Sequence, residues 1–363
     1  MFSRLELCSA ALSFVLTFLF SWALIRLSKR HRIGIDSDKG EQKVHTDLTP
    51  RIGGLAIFLS SALTISINKW HESGYLSTSE LIIICALPVY ILGTAEDLTQ
   101  RVSIQLRMLG ALVSSLMVIF IVNINVIRTD FPGVDELLHF PIIMILISIL
   151  VIVGFTNAMN IIDGFHGLAL TQAMSILFFI GLSYFMAGDY EMWGVSKFVF
   201  LACLSLLAWN WPRGLIFLGD GGAYFLGFLC VCLGLHLLKS TLTVSPVFVI
   251  NLGLYPLLDT LYSMFRRKIN RTLSITKADS LHLHSLIYKS LNQYPDKHKL
   301  RLNVNACVCF LILGVTLPIC IVSYLNRSDD LILFSLFLSG CFSYLFIYRY
   351  LRSKVHIDGN PPI

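Results

Sequence analysis

Eleven apolar windows alternate with short polar segments along the chain, at 5–27, 51–68, 79–95, 107–126, 141–158, 167–187, 196–211, 222–239, 246–265, 304–325 and 331–350. A helix that crosses a bilayer needs about 20 mostly apolar residues. The pattern therefore predicts an all-α, polytopic integral membrane protein with about 11 transmembrane helices. Windows 79–95 and 196–211 are short, so ten or twelve spans fit nearly as well. The first apolar stretch, Leu7 to Ile25, is longer than a signal-peptide core and lacks a small-x-small cleavage site before Arg26 to Arg32, which reads as a first spanning helix. No internal repeat stands out, and residues 1–363 read as one membrane domain.

Composition agrees: 55% of residues are hydrophobic and 14% charged, too few charges to coat a soluble body of 363 residues. Charge also orients the spans. With the loop after the first helix (Lys29, Arg30, Arg32, Lys39, Lys43) placed inside and sides alternating thereafter, all but six of the 28 Lys and Arg fall on the inner side. The six are Arg4, Lys69, Arg128, Lys197, Lys239 and Arg327. That asymmetry predicts a periplasmic N-terminus, a cytoplasmic C-terminus and a cytoplasmic loop over 266–303. The net charge of +6 does not point to nucleic acid, because the basic residues are divided among loops without aromatic interleaving. Nine cysteines are scattered through apolar windows with no CxxC pair, which reads as inert packing.

Five polar patches interrupt the pattern, and the predicted topology puts each at a cytoplasmic helix end or loop. His45-Thr-Asp-Leu-Thr-Pro50-Arg51-Ile-Gly53-Gly54 opens the second helix, where free N–H groups and an arginine suit a phosphate, or simply start a helix with an interfacial arginine. Glu96-Asp97 closes the third helix, where adjacent acids oppose the helix dipole and call for a cation or another role. Asn157-Ala-Met-Asn160-Ile-Ile-Asp163-Gly164-Phe-His166-Gly167 gathers oxygen ligands on a tight connection. Phe217-Leu-Gly219-Asp220-Gly221-Gly222 opens the eighth helix, with Asp220 as N-cap the plainer reading. Asp279-Ser-Leu-His282-Leu-His284-Ser285 lies in the long loop, and with no nearby thiol or third histidine it disfavours zinc. Asp259, inside the ninth helix, is costly in lipid, and an ion pair with Arg266 or Arg267 would account for it.

If Glu96, Asp97, Asp163 and Asp220 converge, a divalent cation relieves their repulsion, and all-oxygen donors favour magnesium or manganese. With Arg51 and the histidines, such a cluster reads as a polyphosphate site at headgroup level, suited to phosphoryl transfer onto a lipid phosphate. A secondary transporter is the rival, although midplane sites and repeats are missing. An intramembrane aspartyl protease fails because Phe217 stands at the first glycine of its Gly-x-Gly-Asp pattern.

Taken in order, Thr49-Pro50-Arg51-x-Gly53-Gly54, the acidic pair 96/97, Asn157-x-x-Asn160-x-x-Asp163-Gly164, Phe217-x-Gly219-Asp220 and His282-x-His284 resemble the polyprenyl-phosphate N-acetylhexosamine-1-phosphate transferases (glycosyltransferase family 4) over residues 45–290. Similarity is greatest to the branch that acts on undecaprenyl phosphate and N-acetylglucosamine 1-phosphate. The resemblance implies a bacterial inner-membrane enzyme with its active site on the cytoplasmic face. It implies transfer of a sugar 1-phosphate from a UDP-amino sugar to undecaprenyl phosphate, release of UMP, and the start of a lipid-linked glycan such as O antigen. Magnesium would be required, with manganese a substitute, and a homodimer is compatible with it. By position it assigns catalytic roles to Asp97, Asp163, Asp220, His282 and His284 and substrate contacts to Arg51, Glu96, Asn157 and Asn160. Direct metal ligation falls to Asn160 and Asp220. Three positions depart from the family pattern: Glu96 for an aspartate, His166 for an aspartate or asparagine, and Ser285 for a further histidine.

Overall fold

The structure, a computed structural model, describes residues 4–35, 49–68, 76–270, 281–293 and 303–355. His45 to Leu48, Asp279 and Ser280 lie outside the described residues. In chain order the helices are α1 (Arg4–His31), α2 (Gly53–Asn68), α3 (Thr78–Cys85), α4 (Leu87–Thr99), α5 (Ile104–Met117, continued by a π turn Val118–Val122), α6 (Val134–Leu138), α7 (Pro141–Ile161) and α8 (Leu168–Ala187). They continue with α9 (Tyr190–Asn210), α10 (Gly219–Ser240), α11 (Pro246–Leu252), α12 (Leu254–Asn270), α13 (Leu283–Asn292), α14 (Val304–Leu325) and α15 (Asp330–Lys354). No strand occurs among the described residues.

Every apolar window is helical. Among the described residues, eight helices are long and apolar enough to cross a membrane, ten when each of two bent pairs is taken as one span, and α2 is shorter. The window 196–211, short on hydropathy alone, belongs to a 21-residue helix that starts at Tyr190 with an Asp189 cap on the N–H of Met192. Window 79–95 is broken: α3 and α4 meet at 42°, where Pro88 in the first turn of α4 cannot continue the hydrogen-bond ladder of α3. Window 246–265 is broken more sharply, α11 and α12 meeting at 78° around Gly253, with Pro256 three residues on.

α10 is the axis of the bundle, packed against α2, α4, α7 and α8 and buried along nearly its whole length. Lipid is as apolar as leucine, so helices in a membrane associate by close van der Waals packing rather than by escape from water. Glycines supply that closeness at the start of α10. A Cβ on Gly54 of α2 would collide with the Gly222 backbone, and one on Gly93 of α4 would lie 2.7 Å from the Gly221 Cα. Hydroxyls line the packed face of α1: Thr17 meets Ser60 of α2 and donates to Ser13 O at 2.9 Å, while Ser13 donates to Phe198 O of α9 at 2.8 Å.

Gly54→Ala should therefore destabilise the solubilised protein by about 1–3 kcal/mol, the range for overpacking, whereas Gly154→Ala, whose Cβ would meet nothing within 4 Å, should leave thermal unfolding unchanged. Equal melting temperatures for the two variants would contradict this packing.

Candidate active site

The site is built on the first turn of α10. The strand-like segment before α2 is lashed to the segment before α10 by backbone bonds: Phe217 N to Pro50 O at 2.8 Å, Gly53 N to Phe217 O at 2.9 Å and Gly54 N to Leu218 O at 2.8 Å. Gly219 closes the approach with φ +77°, and any side chain there would run into the carbonyl of Arg51. Pro50, Arg51 and both glycine pairs of the sequence patterns thus serve one backbone junction.

Asp97, only 3% exposed, points its carboxylate at that junction. Its Oδ1 accepts the N–H of Asp220 and its Oδ2 the N–H of Gly221, each at 2.8 Å. An acid misplaced at the end of its own helix is well placed at the start of another, where unpaired N–H groups and the helix dipole favour negative charge. Glu96 turns elsewhere, accepting the N–H of Val102 through Oε2 at 2.7 Å in the loop after α4. Asp220 is not the N-cap of α10, a position held by Leu218; it lies in the first turn with its carboxylate in the site.

That carboxylate is the focus. Asn160 Nδ2 donates to Oδ1 at 3.2 Å, Arg51 Nη2 lies 3.4 Å from the same oxygen, and Arg107 Nη1 donates to Oδ2. Asp163, at the end of α7 and half-buried, faces Arg51 and the N–H of Gly219; burial nevertheless pushes its carboxyl up to about 7. Asn157 stands one turn before Asn160 on α7, half-buried and with its side chain unbonded among the described residues. Of the four acids expected to converge, Asp97, Asp163 and Asp220 do so, while Glu96 is bonded to the neighbouring loop. Two arginines and backbone N–H groups offset much of their charge.

His282 and His284 form a second cluster. Asp259 Oδ2 lies 2.7 Å from His282 Nδ1 and 3.7 Å from His284 Nδ1, while Oδ1 accepts the N–H of Leu283 and the hydroxyl of Tyr344, each at 2.9 Å. Asp259 is therefore satisfied by the histidine segment and Tyr344 rather than by an ion pair with Arg266 or Arg267; Arg266 instead donates to Leu281 O at 3.3 Å and Tyr348 Oη at 2.9 Å. The imidazoles stack in parallel, His282 at the extended N-cap position of α13 and His284 in its first turn. Phe165, two residues after Asp163, meets the edge of His284 at 5.3 Å and so joins the two clusters. His166 is buried against the loop before α10, its N–H donated to Asn305 Oδ1 at 2.7 Å and its Nδ1 3.0 Å from Pro212 O.

The donors fit a hard divalent cation in one place. Asp220, Asp163 and the amide oxygen of Asn160 make an all-oxygen set beside two guanidinium groups able to take phosphates, which suits magnesium with its retained waters and few carboxylates. Asp97 fits less well as a ligand, since its oxygens hold α10. Donor atoms of Asp259, His282 and His284 lie within 4.8 Å of one another, a third ligand type that reading along the chain did not supply. Tyr255 and Tyr344 carry no signal along the chain, and Arg107, which follows the Glu96-Asp97 patch, has no role assigned to it there. Arg107 had a signal: it is a charge at the start of an apolar window.

The architecture defines a multi-pass helical membrane protein, and an arginine-balanced acidic centre lies at the N-terminus of α10. Residues 80–238 match the family described as Glycosyl transferase family 4. The chain is 29% identical to the probable undecaprenyl-phosphate N-acetylglucosaminyl 1-phosphate transferase of Bacillus subtilis, over 70% of this chain and 69% of the relative. It is 27% identical to the decaprenyl-phosphate N-acetylglucosaminephosphotransferase of Mycolicibacterium smegmatis, over 70% and 68%. A phospho-N-acetylmuramoyl-pentapeptide-transferase of Clostridium botulinum is 29% identical over 69% and 76%.

Two outcomes follow for the acids. Asp97→Asn replaces an acceptor with a donor against two N–H groups and should cut activity by about 100-fold or more, whereas Glu96→Gln keeps an oxygen for Val102 and should stay within about threefold; comparable losses in membrane assays would refute the division. Because Asp163 holds a proton below about 7 that a cation must displace, magnesium affinity measured calorimetrically should rise between about pH 6 and 8. Affinity that stays flat across that interval would count against Asp163 as a cation partner.

Proposed function

We propose that this protein transfers an N-acetylhexosamine 1-phosphate from a UDP-linked donor to undecaprenyl phosphate, releasing UMP and starting a lipid-linked surface glycan. The observation that carries it is the convergence of Arg51, Arg107, Asn160 and Asp163 on Asp220 at the N-terminus of α10. The names of the relatives, each a sugar-phosphate transferase and two of them named for N-acetylglucosamine, support the same chemistry.

In the reaction a lipid phosphate oxygen attacks the β-phosphorus of the donor, the bond from that phosphorus to the bridging oxygen breaks, and the bridging oxygen leaves on UMP. A phosphate monoester has a second pKa near 6, so the lipid nucleophile is mostly dianionic at neutral pH and needs little general-base help. Positioning and charge neutralisation carry the rate instead. Magnesium, when bound by Asp220, Asn160 and Asp163, supplies neutralisation of the diphosphate. Arg107 and Arg51 are the groups that exchange Asp220 for substrate phosphate, each guanidinium keeping an anionic partner throughout. Asp97 keeps the first N–H groups of α10 aligned beneath them. His282 and His284 hold the donor phosphates or sugar from the opposite flank. Since UDP-sugars are cytoplasmic, the site belongs on the cytoplasmic face of the inner membrane, on the side to which the basic loops assign it.

Membranes containing the protein, undecaprenyl phosphate and magnesium should release UMP from UDP-N-acetylglucosamine or UDP-N-acetylgalactosamine, and Asp220→Ala should abolish that release. Full activity of the variant would remove Asp220 from the reaction; no product with either sugar would remove the transferase reading.

A further inference from the structure

The sharp bend at Gly253 brings α12 against α13 and α15, and the contact is centred on a carboxylate with no place in the phosphate site. Asp259 is 1% exposed, and both of its oxygens are engaged, by the Leu283 N–H and Tyr344 hydroxyl on one side and by the two imidazoles on the other. Tyr255, one turn earlier on α12, sets its hydroxyl 2.9 Å from His284 Nδ1. The rings of His282 and His284 are held 5.2 Å apart and 6° from parallel. An ionised carboxylate only accepts hydrogen bonds, so the nitrogen 2.7 Å from Oδ2 is the one that carries a proton.

We infer that Asp259 is a positioning residue that holds His282 in its Nδ1–H form and fixes its ring against His284, so that any contact His282 makes with the donor substrate goes through Nε2. The inference rests on the transferase reading for its link to the donor, but Asp259's grip on His282 does not. Second partners of this kind orient an imidazole and set its basicity, and their loss typically costs 10–100-fold in activity. Asp259→Asn would present an amide N–H where Nδ1–H now points, forcing the opposite tautomer. Tyr344→Phe would leave the charge in place and remove one donor from it, concentrating the negative charge on the imidazole.

The test has one readout that needs no turnover: exchange of the His282 C2 proton for deuterium, followed by mass spectrometry across pH. Among the described residues, His282 faces Asp259 from α12 and His284 from α13, with Tyr255 bonded to His284 and Tyr344 of α15 bonded to Asp259, and Asp259 is the anion of this group. The exchange midpoint of His282 should move to lower pH in Asp259→Asn and to higher pH in Tyr344→Phe, opposite directions that general loosening of the fold does not produce. Should Asp259→Asn fail to fold, Tyr344→Phe decides alone. In membranes supplied with undecaprenyl phosphate, magnesium and UDP-N-acetylglucosamine or UDP-N-acetylgalactosamine, Asp259→Asn should lose about 10–100-fold in kcat. The Asp259→Asn/His282→Gln double variant should lose no more than about twofold beyond His282→Gln, since the first residue acts through the second. An unmoved midpoint, or fully additive losses, would overturn the inference. So would zinc bound stoichiometrically to the purified protein and lost in Asp259→Asn. Shifted midpoints without turnover of either sugar would instead leave Asp259's grip standing and sink the transferase reading.

Discussion

Two hydrogen bonds from the first turn of α10 to the carboxylate of Asp97 are the contact on which the site depends. A helix that begins inside a membrane protein exposes N–H groups that neither water nor its own backbone can satisfy, and each would cost several kcal/mol if left unbonded in hydrocarbon. Asp97 satisfies two of them from the end of α4. In doing so it fixes where α10 starts, and with it the direction in which Asp220 leaves the helix.

That junction tolerates almost no bulk. Gly53 and Gly54 from α2, Gly93 from α4 and Gly219, Gly221 and Gly222 from α10 approach backbone to backbone, which lets Arg51 lie over the same turn. The electrostatics follow from the packing. Arginines from two different elements balance Asp220, so neither of its carboxylate oxygens is left without a cationic partner. A buried acid with one partner would be bound to it; Asp220 with three has somewhere to go when one of them turns to a ligand.

The histidine cluster depends on a different device. Breaking the span at Gly253 turns α12 through 78° from α11 and brings Asp259 beneath α13. The same segment left straight would put that carboxylate in lipid. Phe165, on the connection that also carries Asp163 and His166, then ties His284 to the acidic centre.

Much of this was legible along the chain. Hydropathy located the long apolar helices but not the short α6 and α13, because a 20-residue apolar stretch has one way to satisfy its backbone in lipid while a short polar helix carries no such signal. The polar patches stood out for the same reason: in a chain with 14% charged residues, Arg51, Asp97, Asn160, Asp163 and Asp220 are expensive unless they meet. Pairing was not legible. Which of two adjacent acids caps α10 and which closes its own loop is decided by a few ångströms of helix rotation, as is the choice of a histidine rather than an arginine for Asp259. Burial of α10 on all sides was hidden as well, since lipid-facing and protein-facing residues are equally apolar and hydropathy cannot separate them. The sequence by itself determined that the chain lies in a membrane and which polar residues interrupt its apolar helices, because polarity in hydrocarbon is costly wherever it occurs. Only the tertiary structure decided who answers whom, because hydrogen bonds and ion pairs are directional and short, and their geometry exists only once the helices have packed.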